Sequence, residues 1–318
     1  MSVWKKVVLF LVGFVLLDFV FGSALDFVEE GVRSGEGIGL IRVASEQEAI
    51  DLLVLGSSRA KHHVDTEWLR EAKSIRTYNL GMNGRGAYNA YLTLGLLLEK
   101  GPKPRAVLLQ VEPRDLRGIR FERTKYFHPS IRKSQFLRET LPEYGDWMHV
   151  KLISRVYRHN NRVFSTVMRG IFARGVSEAN SGFVALNRKY HDVDVEGWGY
   201  DHSSIDTRSI DVYRATLDLL AEHEIPVVIF EGPEFRNSTD GWDQLFREEM
   251  GKLISNYSNA RFEAWDESTF SELDEQGLYV DPLHLNGEGA RLFTQKIAET
   301  EAFEALLSGV PSVASQVR

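Results

Sequence analysis

A serine, a histidine and an aspartate of this 318-residue chain lie in sequence contexts that suit nucleophilic chemistry. Gly56-Ser57-Ser58-Arg59 directly follows a short apolar segment, residues 51–55. A serine at a strand-to-helix turn presents its hydroxyl at the edge of a sheet, where backbone N–H groups of the next helix could stabilise an oxyanion. Because Ser-Ser sequences also cap helices, this pattern alone does not establish catalysis.

The segment Asp281-Pro282-Leu283-His284 could supply the remaining groups. A serine hydroxyl is a poor nucleophile until a base accepts its proton, and an imidazole needs a partner that fixes its tautomer. Asp281 lies three residues before His284 and could orient the ring within one turn. In the alternative interpretation, Asp281 caps a turn and His284 fills a gap below the last helix. Together with Ser58, the segment predicts a Ser58–His284–Asp281 triad.

The order of these motifs resembles the SGNH (GDSL-like) hydrolases, across about residues 51–298. Their first block, usually Gly-Asp-Ser, is Gly-Ser-Ser here, which makes Ser58 the nucleophile. Their second block, Asn-x-x-x-x-Gly, is matched by the segment from Asn79 to Gly84. The resemblance implies that His284 is the base, that Asp281 orients it, and that the backbone N–H groups of Ser58 and Gly84 form the oxyanion hole.

The third block of the family is not matched. Family members usually have Gly-x-Asn-Asp after the third strand, whereas this chain has Val-Glu-Pro-Arg-Asp at 111–115, with Arg114 in place of the Asn. Loss of one oxyanion donor typically costs roughly 10²–10³ in rate. Arg114 could replace that donor or bind an anionic group of the substrate, and Asn83 could reach in instead. Arg59 is a further candidate contact to substrate or oxyanion.

The overall layout resembles the anchored SGNH-type proteins that serve in O-acylation of bacterial surface polymers, such as alginate acetylation and teichoic-acid D-alanylation. Those proteins work beside a multi-pass membrane acyltransferase. The resemblance implies a serine esterase or O-acyltransferase that acts on acylated cell-envelope glycans or similar esters without a cofactor. The alternative is a catalytically inactive SGNH-like scaffold or polysaccharide-binding protein of a membrane assembly.

The N-terminus predicts a membrane segment. Lys5 and Lys6 precede an apolar run over residues 7–25, interrupted by Asp18, and acidic residues follow from Asp26. About 20 apolar residues span a bilayer as a helix, and the positive-inside rule places the N-terminus in the cytoplasm. The segment and its flanks predict a single-pass protein, and the resemblance implies the bacterial cytoplasmic (inner) membrane, with the catalytic domain in the periplasm or outside the cell. A cleaved signal peptide, cut near residues 22–24, is the alternative.

Strand and helix patterns alternate after this segment. Apolar runs predict strands at 51–55, 75–80, 106–109, 226–230 and 261–265, and helical spacing predicts helices between them, with a final helix at about 287–298. Such alternation indicates an α/β fold, a doubly wound (flavodoxin-like) parallel sheet of about five strands. The predicted organisation is an anchor at 1–25, a juxtamembrane linker at 26–50, the α/β domain at 51–307 and a tail at 308–318.

A long insertion at about 116–205 breaks this alternation. Residues 116–174 contain 13 Lys and Arg against 4 Asp and Glu, while the whole chain has a net charge of −7. Solvated helix faces or a surface for anionic lipid or acidic glycan would both explain the basic character. The overall negative charge gives no reason to expect nucleic acid as a partner.

Other chemistry-bearing residues suggest no further site. The chain has no cysteine, no cluster with convincing metal-ligand spacing and no dinucleotide or phosphate-loop motif. His62 and His63 follow the nucleophile turn and could line a pocket, but we expect them to begin a surface helix.

Overall fold

The computed structural model describes residues 1–33, 37–118, 121–143, 148–160, 162–172, 181–193, 205–235 and 242–308. The chain divides into two compact units. The helical unit comprises Met1–Val43 and the inserted segment Phe121–Glu178. The sheet unit comprises Ala44–Arg120 and Ala179–Arg318.

A five-stranded parallel sheet forms the centre of the sheet unit, which confirms the predicted α/β class and strand number. The strands are β1 (Leu52–Leu55), β2 (Thr77–Asn79), β3 (Val107–Val111), β4 (Val227–Glu231) and β5 (Ala260–Ala264). Their order is β2-β1-β3-β4-β5, and each neighbouring pair is parallel. Every residue of β1, β3 and β4 is buried, which explains why these strands are continuous apolar runs and not alternating ones.

The remaining regular elements are twelve α-helices and a short hairpin among the described residues. The helices are α1 (Val3–Glu30), α2 (Ile38–Ser45), α3 (Ser58–His63), α4 (Thr66–Lys73), α5 (Ala87–Lys100), α6 (Gln135–Thr140), α7 (Met148–Ile153), α8 (Val163–Phe172), α9 (Thr207–Glu222), α10 (Trp242–Ile254), α11 (Gly287–Ile297) and α12 (Glu301–Leu307). Strands β6 (Tyr279–Asp281) and β7 (His284–Leu285) form the antiparallel hairpin.

The core of the sheet unit fixes the hairpin relative to the sheet. Phe230 of β4 packs against Trp265 and against Phe293 of α11, with ring centroids 5.4 Å and 6.1 Å apart. All three side chains are almost fully buried. Because α11 begins two residues after β7, this packing holds the β6–β7 hairpin beside the strands.

The long helix α1 belongs to the helical unit. Within the described part of the chain it is the one helix long and apolar enough to cross a membrane. Acidic side chains near its end pair with the inserted segment: Asp26 contacts Arg158 and His159, and Glu29 contacts Arg162. Part of the insertion's positive charge is therefore neutralised within this unit and is not presented to solvent.

Several boundaries differ from the sequence-based expectation. Residues 26–50 were expected to be a linker, but α1 continues to Glu30 and α2 occupies Ile38–Ser45. The helix expected to be the last, α11, is followed by α12. The two additional helices have only 8 and 7 residues, which is shorter than the window over which helical periodicity is recognised. Beyond Ser308, the predicted tail lies outside the described residues.

Candidate active site

The turn after β1 positions the predicted nucleophile. Gly56 has φ +140°, and a Cβ there would lie 2.8 Å from both the Cβ and the carbonyl oxygen of Gln110, so only glycine fits. Ser57 caps α3, because its Oγ accepts a hydrogen bond from the N–H of Arg59 (3.2 Å). Ser58 is thus the first residue of α3 and is partly exposed.

Gln110 on β3 holds this turn in place through hydrogen bonds. Its Oε1 accepts hydrogen bonds from the N–H of Ser57 (3.0 Å) and from the Ser57 hydroxyl (2.8 Å). Sequence reasoning missed Gln110. The available signal was a single polar residue in an otherwise apolar buried strand, since a buried amide needs partners.

Asn79, the first residue of the second motif, supports the nucleophile helix and does not face the reaction. Its Nδ2 donates to the carbonyl oxygens of Ala60 (2.7 Å) and Val64 (3.1 Å), at the C-terminal end of α3. Its Oδ1 accepts from the N–H of Gly81 (3.0 Å). One buried amide therefore joins α3 to the loop that leads to Gly84.

The hairpin brings the predicted base to the serine. His284 Nδ1 donates to the carboxylate of Asp281 (2.9 Å and 3.0 Å to the two oxygens), and His284 Nε2 lies 2.8 Å from Ser58 Oγ. Burial raises the pKa of Asp281, but its hydrogen bonds with His284 and with the N–H of Leu283 outweigh this and lower the pKa below the ordinary value. Asp281 is therefore ionised at neutral pH and fixes the ring with Nε2 free to accept the serine proton.

His63 links helix α3, which carries Ser58, to the hairpin that carries His284. It was expected on the surface, but it is 1% exposed, and its Nε2 accepts a hydrogen bond from the N–H of Leu285 (3.1 Å). Burial lowers the pKa of His63 well below its ordinary value, so the ring is neutral, as an acceptor must be. The expectation failed because α3 is covered by α11 and the hairpin, which lie more than 200 positions away in sequence.

His62 is also buried, contrary to expectation, and contacts Asn83 in the cavity beside the triad. Its Nε2 lies 2.8 Å from Asn83 Oδ1, and its Nδ1 lies 2.7 Å from the carbonyl oxygen of Val184. Asn83 lines the same cavity as Ser58 and His284, so its side-chain amide is a candidate donor to a bound substrate.

Gly84 follows Asn83 in the left-handed region, with φ +62°. This conformation favours glycine and explains the residue type at this position of the motif. Gly84 and Ser58 line the same cavity, so their backbone N–H groups are candidates for an oxyanion hole at the first turn of α3.

Arg114 and Arg59 share a network of carboxylates at the ends of β3 and β4. Arg114 Nε is paired with Glu112 Oε2 at 2.7 Å, and an Nη of Arg114 lies 3.7 Å from Glu234. Arg59 is 1% exposed, and its guanidinium contacts the Glu234 carboxylate and the carbonyl oxygen of Gly232. With these partners, Arg59 is suited to holding α3 in place and Arg114 to lining the cavity.

Asp115 is a partly buried carboxyl close to this network. Burial and the neighbouring Glu112 raise its pKa to about 7. Its Oδ2 accepts a hydrogen bond from the hydroxyl of Tyr213 (2.6 Å), and its side chain occupies the space where a Cβ on Gly86 would lie. Asp115 therefore forms part of the cavity wall, and sequence reasoning did not single it out.

All seven residues predicted from the sequence line one cavity of about 700 Å³ in the sheet unit. They are Ser58, Arg59, Asn83, Gly84, Arg114, Asp281 and His284. A hydroxyl, a base and an orienting carboxylate in line can transfer an acyl group through a serine ester. Among the described residues, no group of His, Asp or Glu could hold a metal ion.

No protein-family model matches the chain, and no match was found among curated proteins.

Proposed function

We propose that this protein is a serine esterase or O-acyltransferase of the SGNH kind. One observation carries the proposal: Ser58 Oγ lies 2.8 Å from His284 Nε2, while the carboxylate of Asp281 holds the other ring nitrogen. This is the geometry that a serine needs for activation by a general base. The adjoining cavity of about 700 Å³ has room for an acyl ester.

The proposed reaction proceeds through an acyl-enzyme. Ser58 Oγ attacks the ester carbonyl while His284 Nε2 accepts its proton, which gives a tetrahedral oxyanion and an imidazolium paired with Asp281. Collapse breaks the bond to the leaving alkoxide, which takes the proton from His284 and departs as an alcohol. A water or a glycan hydroxyl then attacks the acyl-serine, again losing its proton to His284, and free Ser58 is regenerated.

The oxyanion would be held by the backbone N–H groups of Ser58 and Gly84, with the side-chain amide of Asn83 as a third donor. In this role Asn83 replaces the asparagine that the third motif lacks. Arg114 is already paired with Glu112 and contributes positive charge to the cavity wall, where it would contact a polar or anionic part of the substrate.

The proposal also covers the type of fold and the location of the protein at a membrane. The strand order β2-β1-β3-β4-β5 is the order of flavodoxin-like doubly wound sheets, in which ligands bind at the carboxyl ends of the strands. We further propose that α1 is a single-pass anchor in a bacterial cytoplasmic membrane, with its N-terminus inside and the sheet unit outside. The substrate would then be an acylated envelope glycan or a similar ester, and a multi-pass acyltransferase would be the partner.

A second candidate is a catalytically silent domain that binds polysaccharide or supports a membrane assembly. The observation that favours it is Arg114, which stands where the family has an oxyanion donor and is paired with Glu112.

Labelling with a fluorophosphonate separates the two candidates. The full-length protein should be labelled, Ser58→Ala should not be, and His284→Ala should react at least roughly 10³-fold more slowly because the base is lost. The exposed serine of the matched control Ser255→Ala lies outside the cavity, so this variant should label like the parent. A folded parent protein that stays unlabelled would favour the silent domain.

A further inference from the structure

We propose that the inserted segment enters the outer half of the lipid bilayer beside α1, with apolar residues of α7 and α8 in contact with lipid. The inference rests on the proposed anchor and is independent of the serine chemistry. The surface consists of Val150 and Ile153 on α7 and of Phe164 and Met168 on α8, and is named the lipid face below.

The length of α1 places part of the inserted segment at membrane depth. A hydrocarbon core of about 30 Å takes about 20 helical residues at 1.5 Å each. If Lys6 marks the cytoplasmic boundary, the core ends near Asp26. Asp18 then lies about 18 Å beyond Lys6, within the hydrocarbon and well short of the outer boundary.

Asp18 is bound by the inserted segment at this depth. Its carboxylate accepts hydrogen bonds from the Ser154 hydroxyl (2.6 Å) and from the backbone N–H groups of Arg155 (2.8 Å) and Val156 (3.1 Å). A charged side chain inside a membrane is costly unless it is paired, and irregular backbone is tolerated there only where protein groups satisfy it. These hydrogen bonds pair the Asp18 carboxylate and also satisfy the backbone N–H groups of Arg155 and Val156.

The packing beside Asp18 is close. A Cβ on Gly22 would lie 2.1 Å from the Cβ of Arg155, so only glycine allows the inserted backbone to approach α1 here. The Arg155 guanidinium lies 4.3 Å from the centre of the Phe19 ring and donates to Ser23 Oγ (3.0 Å). Arg155 thus extends along α1 towards the outer end of the helix, as cationic side chains do near a membrane boundary.

The lipid face is exposed although it is apolar. Ile153 directly precedes Ser154 and is 81% exposed, and Phe164 is 77% exposed. Val150 lies three residues before Ile153, and Met168 four residues after Phe164, so each pair shares one helix face. Val150 and Met168 are also exposed.

Lipid is the occupant that fits this surface, because the neighbouring surface of α1 has the same character. Leu17, Phe19, Val20 and Phe21 flank Asp18 and are each more than half exposed. Ile153 adjoins the residue that binds Asp18, and α8 packs against α1, so the apolar surface continues from the helix onto the inserted segment. An apolar surface that continues from a spanning helix favours contact with hydrocarbon.

Depth-dependent fluorescence quenching tests the proposal. The chain has no cysteine, so single cysteines can be labelled selectively with an environment-sensitive dye. Full-length Ile153→Cys and Phe164→Cys would be reconstituted in phosphatidylcholine–phosphatidylglycerol vesicles that carry nitroxide-labelled acyl chains. Phe14→Cys on α1 is the control for lipid contact, and Glu139→Cys, from an exposed polar pair on α6 of the same unit, is the control for water contact.

The inference predicts that labels at 153 and 164 are quenched about as strongly as the label at 14, with blue-shifted emission. It is overturned if they are quenched no more than the label at 139 while the label at 14 is quenched. Weak quenching at 153 and 164 would also be expected if this face bound another protein. If the label at 14 itself escapes quenching, the proposed anchor fails together with this inference, whereas fluorophosphonate labelling of Ser58 would be unaffected.

Discussion

At the scale of single residues, Asn83 links the cavity to the helix that carries the nucleophile. Its side-chain amide lies 2.8 Å from His62 Nε2, and its N–H groups are the proposed replacement for the missing oxyanion donor. Burial lowers the pKa of His62, and its Nδ1 donates to the carbonyl of Val184, so Nε2 of the neutral ring is an acceptor. Both roles of Asn83 therefore require an N–H of its amide.

Asn83→Asp keeps the size of the side chain but has no N–H to donate. If the amide stabilises the oxyanion, Asn83→Asp and Asn83→Ala should both lower kcat by roughly 10²–10³ with little change in KM. Hydrolysis of a nitrophenyl ester measures this. A near-normal kcat for either variant would show that the amide is not needed to stabilise the oxyanion.

Asp115 predicts a particular pH dependence of stability. Its pKa is raised from 3.8 to about 7 by burial and by Glu112, so the folded protein keeps a proton that the unfolded chain releases at lower pH. Stability contributed by the protonated carboxyl is therefore lost as the pH rises from about 4 to about 7, and the loss levels off above that range.

Asp115→Asn removes this titration while keeping an oxygen for the Tyr213 hydroxyl. The melting temperature of the parent relative to the variant should fall between pH 4 and pH 7 and then stay constant, which scanning calorimetry at several pH values measures. A difference between the two proteins that is the same throughout this range would contradict the assignment.

At the scale of elements, the short helix α3 is held by groups from distant parts of the chain. Asn79 binds its C-terminal carbonyls, His63 accepts the N–H of Leu285, and Arg59 reaches the loop after β4. A six-residue helix has little stability of its own. Its position, and with it that of Ser58, is therefore determined by these contacts.

Arg59→Met should show how much the buried cation contributes. The change leaves Glu234 and Glu112 without one of their cations, and breaking a buried pair in this way costs about 3–5 kcal/mol. The melting temperature should fall by about 5–15 °C. Arg261→Met is the matched control, since Arg261 pairs with Glu263 on the surface and its loss should cost less than about 1 kcal/mol. Equal effects of the two substitutions would rule out this role for Arg59.

At the scale of the whole molecule, the helical unit is built from two stretches of chain that depend on each other. Arg158 and Arg162 are each 2% exposed, and their carboxylate partners, Asp26 and Glu29, both lie on α1. Without α1, these cations would be buried without counter-charges. Such a state is strongly unfavourable.

A chain lacking residues 1–30 should therefore be cut by trypsin within the inserted segment on the order of 100-fold faster than the full-length protein, because cleavage follows the population of the opened state. Mass spectrometry of the first fragments would locate the cuts. Cleavage at the same rate in both proteins would show that the inserted segment is ordered without α1.

The sequence by itself determined the local features of this protein. Apolar runs bounded by Gly and Pro placed all five strands to within about two residues, and alternation with helices indicated the parallel sheet. The Asp281–His284 pair was also predictable, because both residues lie on one turn. Ser58 was singled out by its position directly after a strand.

Only the tertiary structure decided which distant segments meet. Ser58 and His284 are 226 positions apart, and Asp26 and His159 are 133 apart. The burial of His62 and His63, the support from Gln110 and the pairing of the basic insertion with α1 all depend on such contacts. Periodicity and turn chemistry act within a few residues, whereas these contacts depend on how complete elements pack, which local sequence does not specify.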